Sequence, residues 1–354
     1  MTEPPSIGAM AGVAWWKRPA MRRALRALGH EAAFHGEARA AVRRAGRRGG
    51  AVGVWASREP EGLTAEAARA GVPVVRVEDG FLRSVGLGSD FVPAASLVFD
   101  DLGVYYDPTG ESRLERILQH ATMDAALLAR ARALREEVVR RGLTKYNVDR
   151  AAAAAPAPAG RRRVFVPGQV ADDGSVLRGG AGVRGDLELL RRVRAAEPDA
   201  HVTYKPHPDV EAGHRPGGAP EAEALGLADR VVRGVSVLEL FAEADVVHTL
   251  TSLCGFEALL RGVPVETHGQ PFYSGWGLTR DHAPHVARRT RRLSLDMLVA
   301  GALILYPSYF DPLTGRTCGP ETVIERLGQP AAFRTGPLTW LRRLQGRWMR
   351  AASA

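Results

Sequence analysis

Two adjacent carboxylates, Glu78 and Asp79, stand at the end of an apolar run in the segment RVEDGFLRSVGLGSD (76–90). A carboxylate at the end of a buried strand can lose its water, and desolvation raises the pKa of such a group toward the range of a general acid or base. The following Gly80 leaves a second interpretation open, because Asp-Gly pairs are common in solvated β-turns. The pair is therefore a candidate for proton transfer and a candidate for a plain turn.

A second pair of carboxylates, Asp172 and Asp173, lies in the glycine-flanked segment GQVADDGSVLRGG (168–180). Either carboxylate is a candidate nucleophile or base, and Gln169 and Ser175 supply an amide and a hydroxyl to orient it. The alternative is a polar turn or a helix N-cap, in which Asp173 or Ser175 accepts from free backbone amides. A metal site is not favoured here, because no histidine or further carboxylate falls at a supporting spacing.

A third segment, YKPHPD (204–209), combines an imidazole with an ammonium group. Prolines on both sides fix the backbone around His207, and Lys205 adds a cation two residues away. Fixed geometry with these two groups suits a phosphate or phosphodiester. A single His-Pro motif is weak evidence when it stands alone.

The fourth segment, HTLTSLCGFEALLRGVPV (248–265), opens a helix with two hydroxyls, Thr251 and Ser252. Hydroxyls and free amides at the positive end of a helix form an anion site. N-capping alone explains one hydroxyl, and Glu257 further along the helix adds to the functional interpretation. Cys254 lies in an apolar context, which is typical of a small buried side chain rather than a catalytic thiolate.

Apolar runs alternate with helical patterns along the chain, and this alternation builds parallel sheets covered by helices. Ligands of such sheets bind beyond the carboxyl ends of the strands, where the four segments fall. The expected strands are 51–57, 72–80, 163–168, 201–208, 245–249 and 263–269, and the expected helices are 62–71, 112–141, 185–196, 236–243 and one opening at 252.

The segment AAAAAPAPAG (151–160) is typical of a linker. We therefore expect an α/β protein with two Rossmann-like domains, 1–155 and 156–330, that face a cleft. A basic amphipathic segment, 331–354, completes the chain, with leucines and Trp348 at helical spacing between arginines. That segment either lies on an anionic membrane surface or packs back on the protein as a final helix.

The composition narrows the function classes. A formal net charge of +9 over 354 residues favours anionic partners, but the basic residues are dispersed and no zinc, RNA-recognition or basic-zipper pattern occurs, so nucleic acid is not expected. Two cysteines argue for a reducing compartment without a disulfide framework. No secretion signal or apolar run near the roughly 20 residues of a bilayer span is present, so a cytoplasmic location is expected.

Together the motifs resemble GT-B glycosyltransferases that use CMP-activated acidic sugars, bacterial sialyltransferases included. The resemblance to KpsC-type capsule polysaccharide β-Kdo transferases is closer and extends over about residues 7–328. The matching segments, in order, are VEDGFLRSVGLG, VPGQVADDGSV, KPHPDV, TSLCGFEALLRGVPVETHGQPFYSGWGLT and LILYPSYFDPLTG.

The resemblance implies retaining transfer of 3-deoxy-D-manno-oct-2-ulosonic acid (Kdo) from CMP-β-Kdo, with no metal or cofactor. A covalent adduct requires a carboxylate nucleophile, and the resemblance gives that role to Asp173, with Asp172 as the alternative, and the acid/base role to Glu78 or Asp79. The implied donor-binding residues are Gln169, Ser175, Lys205, His207, Thr251, Ser252 and Glu257, and the implied sugar-pocket residues are Tyr273, Ser274 and Trp276. The cations and amides would stabilise the leaving CMP.

The implied acceptor is a Kdo-terminated linker on a lyso-phosphatidylglycerol anchor, which places the protein at the inner-membrane surface of a Gram-negative bacterium, with other capsule assembly proteins as partners. Many members carry two such modules in tandem, whereas this sequence holds one. The linkage, to O4 or O7 of the acceptor Kdo, the stand-alone or tandem state and the oligomeric state stay open. The alternative functions are a non-catalytic capsule export or assembly factor, or a GT-B transferase with another CMP- or CDP-activated donor, such as a sialyltransferase.

Overall fold

The computed structural model of the protein shows two compact units, each built around its own sheet. The first unit takes its described residues from 4–105, 110–137 and 299–333, and the second from 106–109 and 138–298. The residues described are 4–86, 91–145, 147, 158, 160–212, 214–215 and 218–333.

The first unit has a sheet of seven described strands in the order β13-β12-β5-β4-β3-β1-β2. Strands β1 to β4 pair in parallel, whereas β5 is antiparallel to β4, β12 is antiparallel to β5, and β13 is antiparallel to β12. Numbered in chain order, the strands are β1 Ile7–Ala11, β2 Ala33–His35, β3 Ala51–Trp55, β4 Val74–Asp79, β5 Ser96–Asp100, β12 Pro307–Phe310 and β13 Thr317–Cys318.

Helices cover both faces of this sheet. One face packs Met10 and Trp55 with helix α1 (Arg18–Ala27), and the other packs Ala9 and Val54 with α2 (Ala38–Arg47) and α3 (Leu63–Ala70). The remaining helices of this part of the chain are α4 Arg113–His120, α5 Ala125–Arg140 and α13 Pro320–Leu327, with 3-10 turns at Trp15–Lys17, Ala56–Arg58 and Pro330–Ala332 and a π-helical turn at Ala300–Leu305.

The second unit has a sheet of six described strands in the order β11-β10-β9-β6-β7-β8, and all their pairings are parallel. From β6 the chain proceeds outward through β7 to β8, and it then returns to the other side of β6 to form β9, β10 and β11. The strands are β6 Arg163–Pro167, β7 His201–Lys205, β8 Arg230–Val231, β9 Val246–Thr249, β10 Val265–Thr267 and β11 Arg280–Asp281. The helices are α6 Gly174–Gly179, α7 Asp186–Ala196, α8 Pro208–Glu211, α9 Glu221–Leu225, α10 Val237–Glu243, α11 Leu253–Leu260 and α12 Leu295–Val299.

The predicted α/β class is confirmed, and each predicted strand and helix is present with ends that differ by a few residues. The predicted helix at 112–141 is two helices, α4 and α5, because Asp124 caps a new start by accepting from the Leu127 N–H at 2.8 Å. The strand predicted at 201–208 ends at Lys205, because Pro206 and Pro208 have no N–H to donate to a neighbouring strand.

The units have other bounds than the predicted domains 1–155 and 156–330. Residues 299–333 return to the first unit, because β12 pairs with β5. The predicted linker at 151–160 and the basic segment at 331–354 lie almost wholly outside the described residues. Both cysteines, Cys254 and Cys318, carry free thiols, and no helix in the described ranges has the length and apolarity to cross a bilayer.

Candidate active site

Three of the four polar segments lie in the second unit, after β6, β7 and β9, and an aromatic segment follows β10, so all of them meet at the carboxyl edge of one parallel sheet. The chain reverses its direction of progress across the sheet between β6 and β9. In open α/β sheets this reversal leaves a crevice beyond the strand ends, and ligands bind there. The segment after β6 carries Gln169 to Ser175, and the segment after β9 carries Thr251 and Ser252.

A chain of hydrogen bonds crosses this reversal point and ends on Asp173. Gln169 Nε2 donates to Thr251 Oγ1 at 2.8 Å, and its Oε1 accepts from the Thr251 N–H at 2.9 Å. Thr251 Oγ1 donates to Ser175 Oγ at 3.3 Å, and Ser175 Oγ donates to Asp173 Oδ1 at 2.8 Å. The Gln169 amide donates to Thr251, the Thr251 hydroxyl to Ser175, and the Ser175 hydroxyl to Asp173. The hydrogen bonds therefore all run in one direction, and the last of them orients the Asp173 carboxylate.

Asp186, at the first position of α7, holds the start of this chain. Its Oδ1 accepts from the Gln169 N–H at 2.8 Å, and its Oδ2 accepts from the Tyr204 hydroxyl at 2.7 Å. Burial raises the pKa of Asp186 to about 6, while these two hydrogen bonds act in the opposite direction. Sequence reasoning did not single out Asp186, because an acidic residue in the first turn of a helix is ordinary.

The two adjacent aspartates have different surroundings. Asp172 forms an ion pair with Arg215 at 2.5 Å, and 66% of its side chain is exposed. Asp173 is the N-cap of α6 and accepts from both the Ser175 N–H, at 2.9 Å, and the Ser175 hydroxyl. The capping interpretation of Asp173 therefore describes its contacts, and the capped carboxylate stays exposed to solvent.

The segment after β7 brings an imidazole close to Asp173. His207 caps the short α8 by accepting at Nδ1 from the Asp209 N–H at 3.1 Å. Burial lowers the pKa of His207, and the negative charges of Asp209 and Asp173 act in the opposite direction. Lys205 is buried and donates to Glu211 Oε2 at 2.9 Å, so its ammonium group is engaged by a carboxylate.

The start of α11 is arranged by capping and by backbone contacts. Ser252 Oγ accepts from the Cys254 N–H at 3.2 Å, and the Ser252 N–H donates to Thr249 Oγ1 at 3.2 Å. Glu257 is buried and accepts from the Lys145 N–H at 2.7 Å. Thr251 thus belongs to the hydrogen-bonded chain, while the side chains of Ser252 and Glu257 accept from backbone N–H groups.

The aromatic segment after β10 is buried, and its polar groups bind backbone carbonyls. The Tyr273 hydroxyl donates to the Ser252 carbonyl at 2.5 Å, and Trp276 Nε1 donates to the Phe272 carbonyl at 2.8 Å. Ser274 Oγ donates to the Pro271 carbonyl at 2.9 Å. The Tyr273 contact ties this segment to the start of α11, the other two hold the segment itself together, and a role in a sugar pocket stays a prediction.

In the first unit, Glu78 and Asp79 lie at the carboxyl end of β4, beside residues that follow β1 and β3. Glu78 is buried, and its carboxylate accepts from the Ser57 N–H at 3.2 Å and the Asp79 N–H at 3.1 Å. Asp79 pairs with Lys17 at 3.4 Å and with Arg83 at 2.9 Å. The two carboxylates therefore have different partners, backbone amides for Glu78 and two cations for Asp79.

The charges around this pair shift two pKa values in opposite directions. Burial raises the pKa of Glu78, with the Asp79 charge adding to the rise and Lys17 opposing it. Burial lowers the pKa of Lys17, while Asp79 and Glu78 oppose that shift. The Lys17 ammonium lies 3.5 Å from the centre of the Trp55 ring, a cation–π contact that compensates part of its lost hydration.

A cavity of about 240 Å³ opens beside these groups in the first unit. Asp79, Lys17 and Arg83 line its polar side, and Trp16 and Phe310 belong to its apolar side. Glu78 is not among the described residues that line this cavity.

Gly80 has a negative φ, so a left-handed turn does not explain it. A Cβ at this position would lie 2.4 Å from Ser96 Oγ and 2.8 Å from Ser96 Cβ in β5. The glycine after the two carboxylates therefore permits close approach of β5, and the turn interpretation of Asp79-Gly80 is replaced by a packing one.

Comparison with known proteins gives a family and two solved relatives. The sequence profile described as capsule polysaccharide biosynthesis protein matches residues 50–140 and 128–309. The chain is 45% identical over 256 residues to the capsule polysaccharide modification protein LipA of Neisseria meningitidis serogroup A, which covers 72% of this chain and 36% of LipA. It is 42% identical over 259 residues to the lipopolysaccharide-processing protein LpsZ of Rhizobium meliloti, over 72% of this chain and 58% of LpsZ.

The chain thus spans about a third of the length of LipA. Among solved structures, it is 35% identical to the β-Kdo 2,7 transferase of Thermosulfurimonas dismutans KpsC, with a TM-score of 0.74 over 90% of this chain and 98% of that one. The β-Kdo 2,4 transferase of the same KpsC is 28% identical, with a TM-score of 0.77 over 91% of this chain and 98% of that one. These likenesses confirm the predicted GT-B fold class and the predicted resemblance to KpsC-type Kdo transferases.

Proposed function

The chain belongs to the family of capsule polysaccharide biosynthesis proteins, and from this premise we propose that it is a retaining glycosyltransferase that moves Kdo from CMP-β-Kdo to a Kdo-terminated glycolipid. The observation that carries the proposal is the hydrogen-bonded chain from Gln169 through Thr251 and Ser175 to Asp173. A carboxylate that is oriented by a directed chain and also exposed to solvent suits a nucleophile.

In the first step the Asp173 carboxylate attacks the anomeric carbon of Kdo. The bond from that carbon to the CMP phosphate oxygen breaks, CMP leaves with the bonding electrons, and a Kdo ester of Asp173 remains. Asp173 is favoured over Asp172, because Arg215 already engages the Asp172 carboxylate in an ion pair. Ser175 and Thr251 keep the attacking oxygen in position.

In the second step the acceptor hydroxyl attacks the same carbon from the face that CMP left. Its proton passes to a carboxylate, the new glycosidic bond forms, and the Asp173 carboxylate is released. Two inversions give net retention. Glu78 is favoured as the proton acceptor, because its pKa is raised by burial, whereas two cations engage the Asp79 carboxylate.

The departing CMP carries negative charge, which cationic and amide donors stabilise. Thr251 and the residues that begin α11 supply hydrogen-bond donors, and His207 contributes a neutral imidazole, since burial lowers its pKa. Lys205 can contact the phosphate only if its ammonium exchanges Glu211 for the donor. The proposed step uses no metal at this site.

The proposal includes a Kdo-terminated lipid acceptor at the cytoplasmic surface of the inner membrane and other capsule assembly proteins as partners. A 2,7 linkage is favoured, because the identity to the 2,7 transferase of KpsC is 35% against 28% for the 2,4 transferase, whereas their TM-scores are nearly equal. NMR of the isolated product reads the linkage directly.

The test is to incubate the protein with CTP, Kdo, a CMP-Kdo synthetase and a synthetic Kdo-terminated acceptor, with product and CMP measured together. We expect the acceptor to gain one Kdo and Asp173→Ala to lose at least about a hundredfold in rate, since removal of a catalytic nucleophile has effects of that order. Asp172→Ala is the matched control and should keep most of the rate. Glu78→Gln with donor alone should accumulate a Kdo adduct, visible by intact mass and mapped to Asp173.

Other outcomes separate the alternatives. Transfer of sialic acid but not Kdo would indicate another CMP-activated donor, and CMP binding without turnover would indicate a non-catalytic assembly factor. A Kdo adduct on Asp172, or full activity of Asp173→Ala, would overturn the assignment of the nucleophile.

A further inference from the structure

Three histidines and two glutamates gather on one face of the sheet in the second unit, and the proposed transfer does not use them. His248 in β9 and Glu266 in β10 are register partners, so their side chains emerge on the same face. His268 follows two residues after Glu266, and His282 follows β11, whose Asp281 pairs with Thr267. Glu197, at the end of α7, closes the group.

The candidate ligand atoms of Glu197, His248 and Glu266 all lie within 4.8 Å of one another, and His282 is hydrogen-bonded to Glu266. His282 Nε2 lies 2.7 Å from Glu266 Oε2, and His248 Nε2 lies 3.8 Å from the same oxygen. The distance from His248 Nε2 to Glu197 Oε1 is also 3.8 Å. The rings of His268 and His282 stack with their centres 4.5 Å apart, which holds them in one orientation.

His248 Nε2 is a buried nitrogen with no hydrogen-bond partner among the described residues. The side chain is fully buried, and its other nitrogen, Nδ1, lies 3.1 Å from His268 Nε2. If Nδ1 carries the proton and donates to His268, the Nε2 lone pair faces two carboxylate oxygens. If Nε2 carries the proton instead, the nearest of these oxygens, at 3.8 Å, is too distant for a hydrogen bond.

A histidine binds a metal ion through the lone pair of an unprotonated ring nitrogen. A lone pair directed at two carboxylates is stabilised by a cation between them.

We propose that Glu197, His248 and Glu266 bind a Zn²⁺ ion, with His282 as a fourth ligand and His268, which lies next to His248 Nδ1, as the residue that fixes the tautomer of His248. Imidazole nitrogens and carboxylate oxygens are zinc ligands, and four such ligands complete a tetrahedral structural site. A second residue that accepts from the outer N–H of a ligating histidine is a general feature of zinc sites.

Two arginines also reach the cluster and set its charge. Arg162 contacts Glu197 Oε1 at 3.1 Å and Glu266 Oε1 at 3.6 Å, and Arg280 contacts Glu266 Oε1 at 3.6 Å. Both arginines contact Oε1 of Glu266, whereas His248 and His282 lie near its Oε2. The positive charge of the arginines lowers the affinity for a dication, and zinc must take Glu197 Oε1 from Arg162, so the site should bind more weakly than an all-histidine or cysteine site.

The ion would connect β9, β10, the two-residue edge strand β11 and the end of α7. This role is structural, since none of the ligands belongs to the hydrogen-bonded chain that ends on Asp173. The proposal goes beyond the transferase function and departs from the expectation of a metal-free protein. It also stands or falls separately from that function, because its test measures binding and stability.

The test uses the full chain stripped with a chelator and titrated with Zn²⁺ alone, with calorimetry for stoichiometry, elemental analysis for retained metal and thermal unfolding for stability. We expect one zinc per chain and a rise in Tm. Co²⁺ should give the visible absorption of a tetrahedral site. His282→Gln should weaken binding at least about tenfold, because the loss even of outer-sphere partners costs tenfold or more. His285→Gln, an exposed histidine three residues further on, is the matched control and should bind as the wild type does.

Glu266→Gln gives a second variant, in case His282→Gln disturbs the edge strand without acting through metal. It should lower zinc affinity while leaving the Tm of the chelated protein within a few degrees of the wild type. Absence of saturable zinc binding, or equal binding by His282→Gln, Glu266→Gln and the control, would overturn the proposal.

Discussion

At the residue scale, the two adjacent carboxylates of each candidate pair, Glu78 with Asp79 and Asp172 with Asp173, have different hydrogen-bond and ion-pair partners. Backbone amides hold Glu78, whereas cations hold Asp79. A hydroxyl orients Asp173, whereas Arg215 engages Asp172. The proposed transfer assigns the reacting role in each pair to the carboxylate that no cation among the described residues engages, Glu78 and Asp173.

Glu78→Gln should lower the rate of transfer by about a hundredfold or more, because general acid–base groups contribute effects of this order. The same change should alter how stability depends on pH. Burial raises the pKa of Glu78, so the proton it binds stabilises the fold below its ordinary pKa, and this stabilisation is lost as the pH rises through the raised value.

The wild type should therefore lose free energy of unfolding with rising pH relative to Glu78→Gln, as measured by denaturant unfolding between pH 4 and pH 8. Glu61→Gln, which changes an exposed glutamate of the same unit, is the control and should follow the wild type. Parallel pH profiles for Glu78→Gln and the wild type would contradict the burial argument.

Residue types and their places after strands were predictable from the sequence, because the carboxyl ends of parallel strands carry ligand-binding loops. The partners of these residues were not. Lys17 and Asp79 lie 62 positions apart, and Gln169 and Thr251 lie 82 apart, so no local pattern joins them. Arg83, which forms an ion pair with Asp79, follows it by only four residues in the segment 76–90, so this contact was close enough in the sequence to be predicted.

At the element scale, Asp186 couples the first turn of α7 to β7 and to the segment after β6. Its pKa of about 6 lies above the ordinary value of 3.8, so its bound proton stabilises the fold below about pH 4, and that stabilisation is lost as the pH rises through 6. Two pKa units correspond to about 3 kcal/mol at most.

Asp186→Asn should remove this pH dependence. The wild type should lose up to about 3 kcal/mol of unfolding free energy relative to the variant between pH 4 and pH 7. Urea unfolding at a series of pH values measures it, with the exposed Asp199→Asn as control. A constant difference between the wild type and Asp186→Asn across this range would show that the carboxyl keeps its ordinary titration.

The strands and helices that sequence reasoning found have strong signals, such as the β-branched run of β4 or the serine caps of α4 and α11. Those it did not single out have weak ones. The β1 segment, IGAMA, contains glycine and alanine, which are poor strand formers, and β12 begins with proline. Their strand form comes from tertiary pairing with β3 and β5.

At the scale of the whole molecule, a net charge of +9 and the basic segment 331–354 predict binding to an anionic membrane surface. Arginines near an anionic surface contribute about 1 kcal/mol each, and salt screens them. The chain should bind phosphatidylglycerol vesicles better than phosphatidylcholine vesicles, and binding should fall as salt rises.

A chain that stops at Phe333 should lose most of this binding in vesicle sedimentation. Replacing Arg342, Arg343, Arg347 and Arg350 with glutamine is the matched variant of full length and should have a similar effect. Equal sedimentation of the wild type and both variants, at low and high salt, would show that the segment does not bind the membrane.

The division of the chain into units was predictable only in outline. Composition gave two domains of about the right size, but the pairing of β12 with β5 joins residues more than 200 positions apart. Such a contact has no signature within a window of ten or twenty residues, so the return of 299–333 to the first unit was beyond pattern reading.

This return has a consequence for biosynthesis. On the ribosome, β5 emerges with its outer edge unpaired, and residues 138–298 of the second unit are translated before β12 can pair with it. At roughly 5 to 20 residues per second, the delay is about 10 to 40 s. We expect the second unit to complete its sheet before the first does, and an unpaired edge of this kind is a natural substrate for a chaperone.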